Sequence, residues 1–126
     1  MSTEEKQAYL DKIYRDRGFI WEMHKVMVEW DLDWVKAYDA FLHATYLGES
    51  TLDRKTKELL QIVVEAALRA DVEQIRPHVK AALDNGATPR EIIDALECVM
   101  LPMGMLAFRR GMEAWIAEIG VETASA

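Results

Sequence analysis

Three side chains in the second half of the chain have the types and spacing for acid–base chemistry: His78, Glu58 and Glu65. An imidazole titrates close to neutral pH, so His78 suits proton delivery to a carbon. It stands among Val72, Ile75, Val79 and Leu83, where an isolated histidine serves equally well as a hydrogen-bonded structural residue. Glu58 and Glu65 are seven residues apart and fall on one stripe of a helix. In a simple antiparallel hairpin rising ~1.5 Å per residue, Glu65 lies about 8 Å from the turn and His78 about 10–12 Å. On the same rise Glu58 lies about 18 Å from it. Spacing alone therefore sets Glu65 level with His78, and a solvated polar stripe competes as the reading of each glutamate.

Other residues could complete a site. Glu97 interrupts an apolar run between Leu96 and Cys98-Val99, and partial burial there would raise its pKa toward that of a useful acid. Arg76, half a turn before His78, could hold a substrate carboxylate bidentately, as could Arg54, Arg109 or Arg110. His24 and His43 stand near Trp21, Met27, Phe41 and Tyr46, aromatics that either exclude water from a pocket or simply pack. No metal site is expected, because the three histidines are far apart and no His-x-x-x-His or Glu-x-x-His pair occurs. There is no glycine-rich phosphate loop and no Ser-x-Gly elbow.

Composition limits the partners. A formal charge of −7 over 126 residues argues against nucleic acid, which needs a basic face. No apolar run approaches the ~20 residues of a membrane span, and Met-Ser-Thr-Glu-Glu-Lys is unlike a secretory signal. The single cysteine, Cys98, cannot form an internal disulfide, so a cytoplasmic location is expected.

The elements that must carry these residues read as helices throughout. Residues 5–16 form a first helix ended by Arg17-Gly18, and Ile20, Met23, Met27 and Trp30 mark the next. Asp31 or Asp33 can cap a third helix whose stripe is Trp34, Tyr38, Phe41, Leu42 and Thr45, closed by Gly48-Glu49-Ser50. Asp53 can cap a helix to about Arg69 with Leu59, Ile62, Val63, Ala66 and Ala67 buried. Asp71-Val-Glu-Gln74 looks like a capping box for a helix ending at Asn85-Gly86. Thr88-Pro89-Arg90-Glu91 is a stronger start, and Pro102 and Gly104 end or kink the helix it opens. A last helix runs from about Met105 to Ile119, and Val121–Ala126 is expected to fray. The expected architecture is all-α, about six to seven helices in a single bundle-like domain.

From Leu52 to about Gly111 the chain resembles the carboxymuconolactone decarboxylase family. The resemblance is carried by Leu52-Asp53-Arg54-Lys55-Thr56-Lys57-Glu58-Leu59-Leu60, Ile75-Arg76-Pro77-His78-Val79, Ala81-Ala82-Leu83-Asp84-Asn85-Gly86-Ala87-Thr88 and Glu91-Ile92-Ile93. It implies the alkylhydroperoxidase D-like helical fold. The peroxidase-like branch of that family carries Cys-x-x-Cys ahead of its histidine, since its chemistry needs a thiolate and a resolving partner. Asp71 and Gln74 occupy those positions here, which excludes thiol peroxidase activity. The 20-residue separation of Glu58 and His78 matches the decarboxylase branch, and by the family motif Glu58 is the catalytic carboxylate. What the resemblance implies is a lyase without cofactor that decarboxylates a small lactone from aromatic-ring degradation, built as a homo-oligomer (trimer or hexamer). Two alternatives stand beside it: a related lyase or isomerase on another aromatic-derived substrate, and an oligomeric binding protein without catalysis.

Overall fold

The computed structural model describes residues 2–124, with side chains through Glu122. Among the described residues no strand occurs, and they divide into two compact units on either side of Ser50–Thr51.

The first unit contains α1 (Thr3–Arg17), α2 (Glu22–Trp30), α3 (Leu32–Leu42) and a π-helical turn (His43–Leu47). Ser2 accepts the Glu5 N–H to start α1, and Gly18, at φ 87°, adopts the left-handed conformation that ends it. Asp31 closes α2 and opens α3, where its carboxylate accepts the Trp34 N–H. Ile13, Val28, Leu32 and Val35 form the core of this unit.

Two expectations fail here. In α2 the buried residues are His24 and Val28, whereas Trp30 is 83% exposed. In α3 Leu32, Val35 and Asp39 turn inward, while Trp34, Tyr38 and Phe41 lie exposed, Trp34 stacked on Tyr38 at 5.3 Å between ring centroids. The helix carries two stripes at helical spacing, and periodicity cannot say which faces the core. The aliphatic stripe meets Ile13 and Val28; the aromatic stripe packs on itself.

The second unit contains α4 (Arg54–Ala67), α5 (Val72–Asp84), α6 (Pro89–Glu97), the single turn α7 (Met100–Met103), α8 (Met105–Ile119) and a short α9 (Val121–Ala124). Residues 121–124 of the expected frayed tail are thus helical; 125 and 126 lie outside the described residues. Asp53 caps α4 through the Thr56 N–H, and Thr88 and Glu91 form the expected capping box of α6. The box expected at Asp71–Gln74 does not form: the Asp71 side chain makes no capping bond, and Gln74 donates to Glu65 across the hairpin.

Helices α4 and α5 pair as a hairpin, and α8 packs against both. Ile62, Ala66, Ile75, Val79, Ala82, Ile92, Leu96, Ala114 and Trp115 make up the core they share with α6. Trp115 closes one end and gives its indole N–H to the Pro89 carbonyl at 3.0 Å. Arg110 reaches back from α8 and donates to the carbonyls of Arg69 and Ala70, pinning the α4–α5 turn. Lys55 of α4 pairs with Glu91 of α6 at 2.9 Å.

The close approach of α8 depends on Gly111. A Cβ at that position would stand 2.3 Å from Leu96 Cδ2 and 3.2 Å from Ala66 Cβ, both in the packed core. Overpacking of this kind costs about 1–3 kcal/mol, against which the better helix propensity of alanine returns ~1 kcal/mol. Gly111→Ala is therefore expected to lower the melting temperature by a few degrees in a calorimetric scan. An unchanged or higher melting temperature would mean that α6 can shift to make room.

Candidate functional site

His78, Glu58 and Glu65 come together in the α4–α5 hairpin. Ile75 and Val79 bury the inner stripe of α5, which fixes the rotation of the helix and turns His78 toward α4. His78 Nδ1 is 2.8 Å from Glu58 Oε1, and both side chains are buried, Glu58 completely. The second oxygen of Glu58 accepts from Arg54 Nε, one helical turn earlier. A fully buried carboxylate needs such a counter-charge, and Arg54 spans from the α4 N-terminus to supply it.

Glu65 faces the other side of the ring. Its Oε1 accepts from Gln74 at 2.6 Å, and its Oε2 lies 3.2 Å from His78 Nε2. The distance fits an ion pair, yet Oε2 is buried and makes no directed hydrogen bond. The contact is off-line, so charge and proximity join the two groups without a formed N–H···O bond. The two carboxylates treated above as alternatives thus both belong to the site. An imidazole offers a nitrogen on each side, and glutamates two turns apart on α4 reach one nitrogen each.

The tautomer follows from this geometry. Glu58 Oε1 can only accept while its partner oxygen holds Arg54, so Nδ1 carries a proton. Nε2 faces Glu65 Oε2. The resulting row, Arg54–Glu58–His78–Glu65–Gln74, is anchored at both ends by donors and has one soft joint, at Nε2···Oε2.

The remaining candidates separate from this cluster. Arg76 pairs with Glu118 of α8 at 2.8 Å, which raises its pKa and commits the guanidinium to a structural tie. Glu97 is exposed at the end of α6 and accepts from Arg90; the buried acid expected there does not exist. It lies on the outer face of a helix whose inner positions are Ile92 and Leu96. Cys98 is exposed.

Trp21 and His24 belong to the first unit. Trp21 occupies the N-cap of α2, donates its backbone N–H to His24 Nδ1 at 2.8 Å and stacks on the imidazole at 5.8 Å. Burial, and then the nearby Arg17 charge, push the His24 pKa down, so the ring is neutral at neutral pH. Asp16, Asp39 and His43 also converge in this unit, within the reach of one metal ion. Lys12 already fills a cation's role there, at 2.9 Å from both Asp16 and Asp39. The Tyr9 hydroxyl donates to Asp39, and its pKa is pushed up to about 12 by burial and by that carboxylate.

Several partners were missed in the sequence. One-turn spacing announces two of them, Arg54 before Glu58 and Asp39 before His43, whereas Gln74 bonds Glu65 nine residues away and gives no such signal.

An all-α hairpin that buries a histidine between two carboxylates has the geometry of a candidate acid–base site. The profile of the carboxymuconolactone decarboxylase family matches residues 33–117, and the chain belongs to that family. An uncharacterised protein of Methanocaldococcus jannaschii is 38% identical over 73 residues, covering 57% of this chain and 69% of that protein. A crystal structure from Burkholderia xenovorans LB400, of a candidate carboxymuconolactone decarboxylase, superposes with a TM-score of 0.77. It covers 98% of this chain and 96% of its own at 20% identity, and so shares the fold. No helix among the described residues is long and apolar enough to cross a membrane.

Proposed function

We propose that the protein is a cofactor-independent lyase that decarboxylates a small carboxylated lactone or a related aromatic-degradation intermediate. The observation that carries the reading is the unbonded, buried Oε2 of Glu65 beside His78 Nε2. A buried polar atom left without a partner costs stability and is retained where chemistry uses it.

In this reading the bond from ring carbon to carboxylate breaks and carbon dioxide leaves. The electron pair passes through the ring double bond to the lactone carbonyl oxygen. The proton held between His78 Nε2 and Glu65 Oε2 is then delivered to carbon, which regenerates a neutral lactone. Glu58 and Arg54 hold the imidazole in the orientation and tautomer that turn Nε2 toward Glu65 for this exchange. General acid catalysis of this kind contributes about 10²–10⁴ in rate.

The active form in this proposal is a homo-oligomer, a trimer or hexamer, working in the cytoplasm on a small molecule and not on nucleic acid. The exposed Trp30, Trp34, Tyr38 and Phe41 support an association surface.

Carbon dioxide release and ultraviolet loss with 4-carboxymuconolactone test the reading. Wild type is expected to turn over, and His78→Ala to lose at least about a hundredfold. Full turnover by His78→Ala would remove the histidine from the mechanism. Absence of turnover in folded wild type would discard the substrate and leave related lyases or a binding role.

A further inference from the structure

The first unit holds a cavity of about 400 Å³ that the acid–base site does not use. Met23, Met27, Trp34 and Leu42 supply its apolar wall, and Arg17 and His24 its polar edge. The volume lies within the range of small-molecule pockets.

The polar edge contains a contradiction that a ligand would resolve. His24 Nδ1 receives the backbone N–H of Trp21, and His24 Nε2 lies 2.9 Å from Arg17 Nη1. A neutral imidazole has one donor and one acceptor, whereas both of its neighbours here are donors. Whichever nitrogen carries the proton, one contact sets a donor against a donor. The Trp21 amide is fixed as the start of α2, so the proton belongs on Nε2 and the mismatch falls at Arg17. Among the described residues no carboxylate pairs with that guanidinium, which instead rests over the Phe19 ring at 5.2 Å.

We propose that this cavity binds a small monocarboxylate with a flat apolar body, its carboxylate accepting from both Arg17 and His24 Nε2. One anion placed between the two donors satisfies both, and a charged acceptor gives the stronger bonds. Trp34 and the methionines cover the body of the ligand; flexible thioethers accommodate varied ring shapes. Asp39 also lines the cavity but does not oppose an anion, because its Oδ2 is taken by Lys12 and the Tyr9 hydroxyl. The charges of Lys12 and Arg17 balance those of Asp16 and Asp39, so selectivity comes from the directed donors and not from a net field. The proposal does not rest on the lyase reading of His78.

Calorimetric titration of the full chain with phenylacetate, and separately with the uncharged phenylacetamide, tests it. Phenylacetate is expected to bind saturably and the amide at least about tenfold more weakly. Arg17→Gln is expected to remove that preference. Met23→Trp, at an exposed position on the cavity wall, is expected to fill the space and abolish binding even if Arg17→Gln does not fold. Equal binding of acid and amide, no saturation at millimolar acid, or unchanged affinity in folded Arg17→Gln or Met23→Trp would overturn the proposal. Binding lost in folded His78→Ala but kept in Arg17→Gln would place the anion at the acid–base site instead.

Discussion

Glu65→Gln is expected to raise stability by about 1 kcal/mol while lowering turnover by about 10²–10⁴. The two effects have one cause. In the substituted side chain the amide oxygen still accepts from Gln74, and the amide nitrogen takes the place of Oε2. That nitrogen is a donor facing the Nε2 lone pair of a histidine whose proton is fixed on Nδ1 by Glu58. A neutral amide nitrogen replaces the unsatisfied buried carboxylate oxygen, which removes a buried charge from the site. The same change removes the exchangeable proton. Chemical denaturation and the carbon dioxide assay on one preparation measure both. A variant that is less stable yet fully active would show Glu65 to be a structural anchor, and the row of five residues would have to be read as packing.

Much of the α4–α5 hairpin was legible because several local signals agreed. Asp53 capped its helix, Asn85-Gly86 ended the next, and Ile62, Ala66, Ile75 and Val79 alternated at helical spacing. Rise per residue set Glu65 beside His78, and the family motif singled out Glu58. That both touch the ring was not legible, because side-chain reach across a hairpin is a property of helix rotation and not of axial level. Asp71 shows the opposite failure. Its sequence fits a capping box, yet Gln74 had a stronger acceptor available in Glu65 and took it. Glu97 was misjudged because an apolar neighbourhood in sequence is not one in space: Leu96 faces the core and the next residue faces out. In the first unit the aromatics misled, since Trp34 and Tyr38 satisfy the helical period as well as Leu32 and Val35 do.

The second large effect is expected at Arg54, and it concerns the fold as much as the site. Breaking a buried ion pair by removing one member costs about 3–5 kcal/mol, because the remaining charge stays in a medium that solvates it poorly. Glu58 is fully buried and Arg54 partly exposed, so Arg54→Met falls at the lower end, about 3 kcal/mol. For a domain of this size that is a large share of a typical total stability of about 5–15 kcal/mol. The physical claim is about charge and not about packing, and a double-mutant cycle separates the two. Glu58→Gln keeps an acceptor for His78 Nδ1 and removes the buried charge that Arg54 compensates. In that background Arg54→Met is expected to cost less than about 1 kcal/mol by urea denaturation, in the range of an ordinary surface pair. Equal costs in both backgrounds would mean that the arginine stabilises through its aliphatic stem. A large coupling would instead identify Arg54 as what allows a carboxylate to be held, fully desolvated, against the histidine. Such coupling would also account for the complete burial of the Glu58 carboxylate, which His78 alone does not offset.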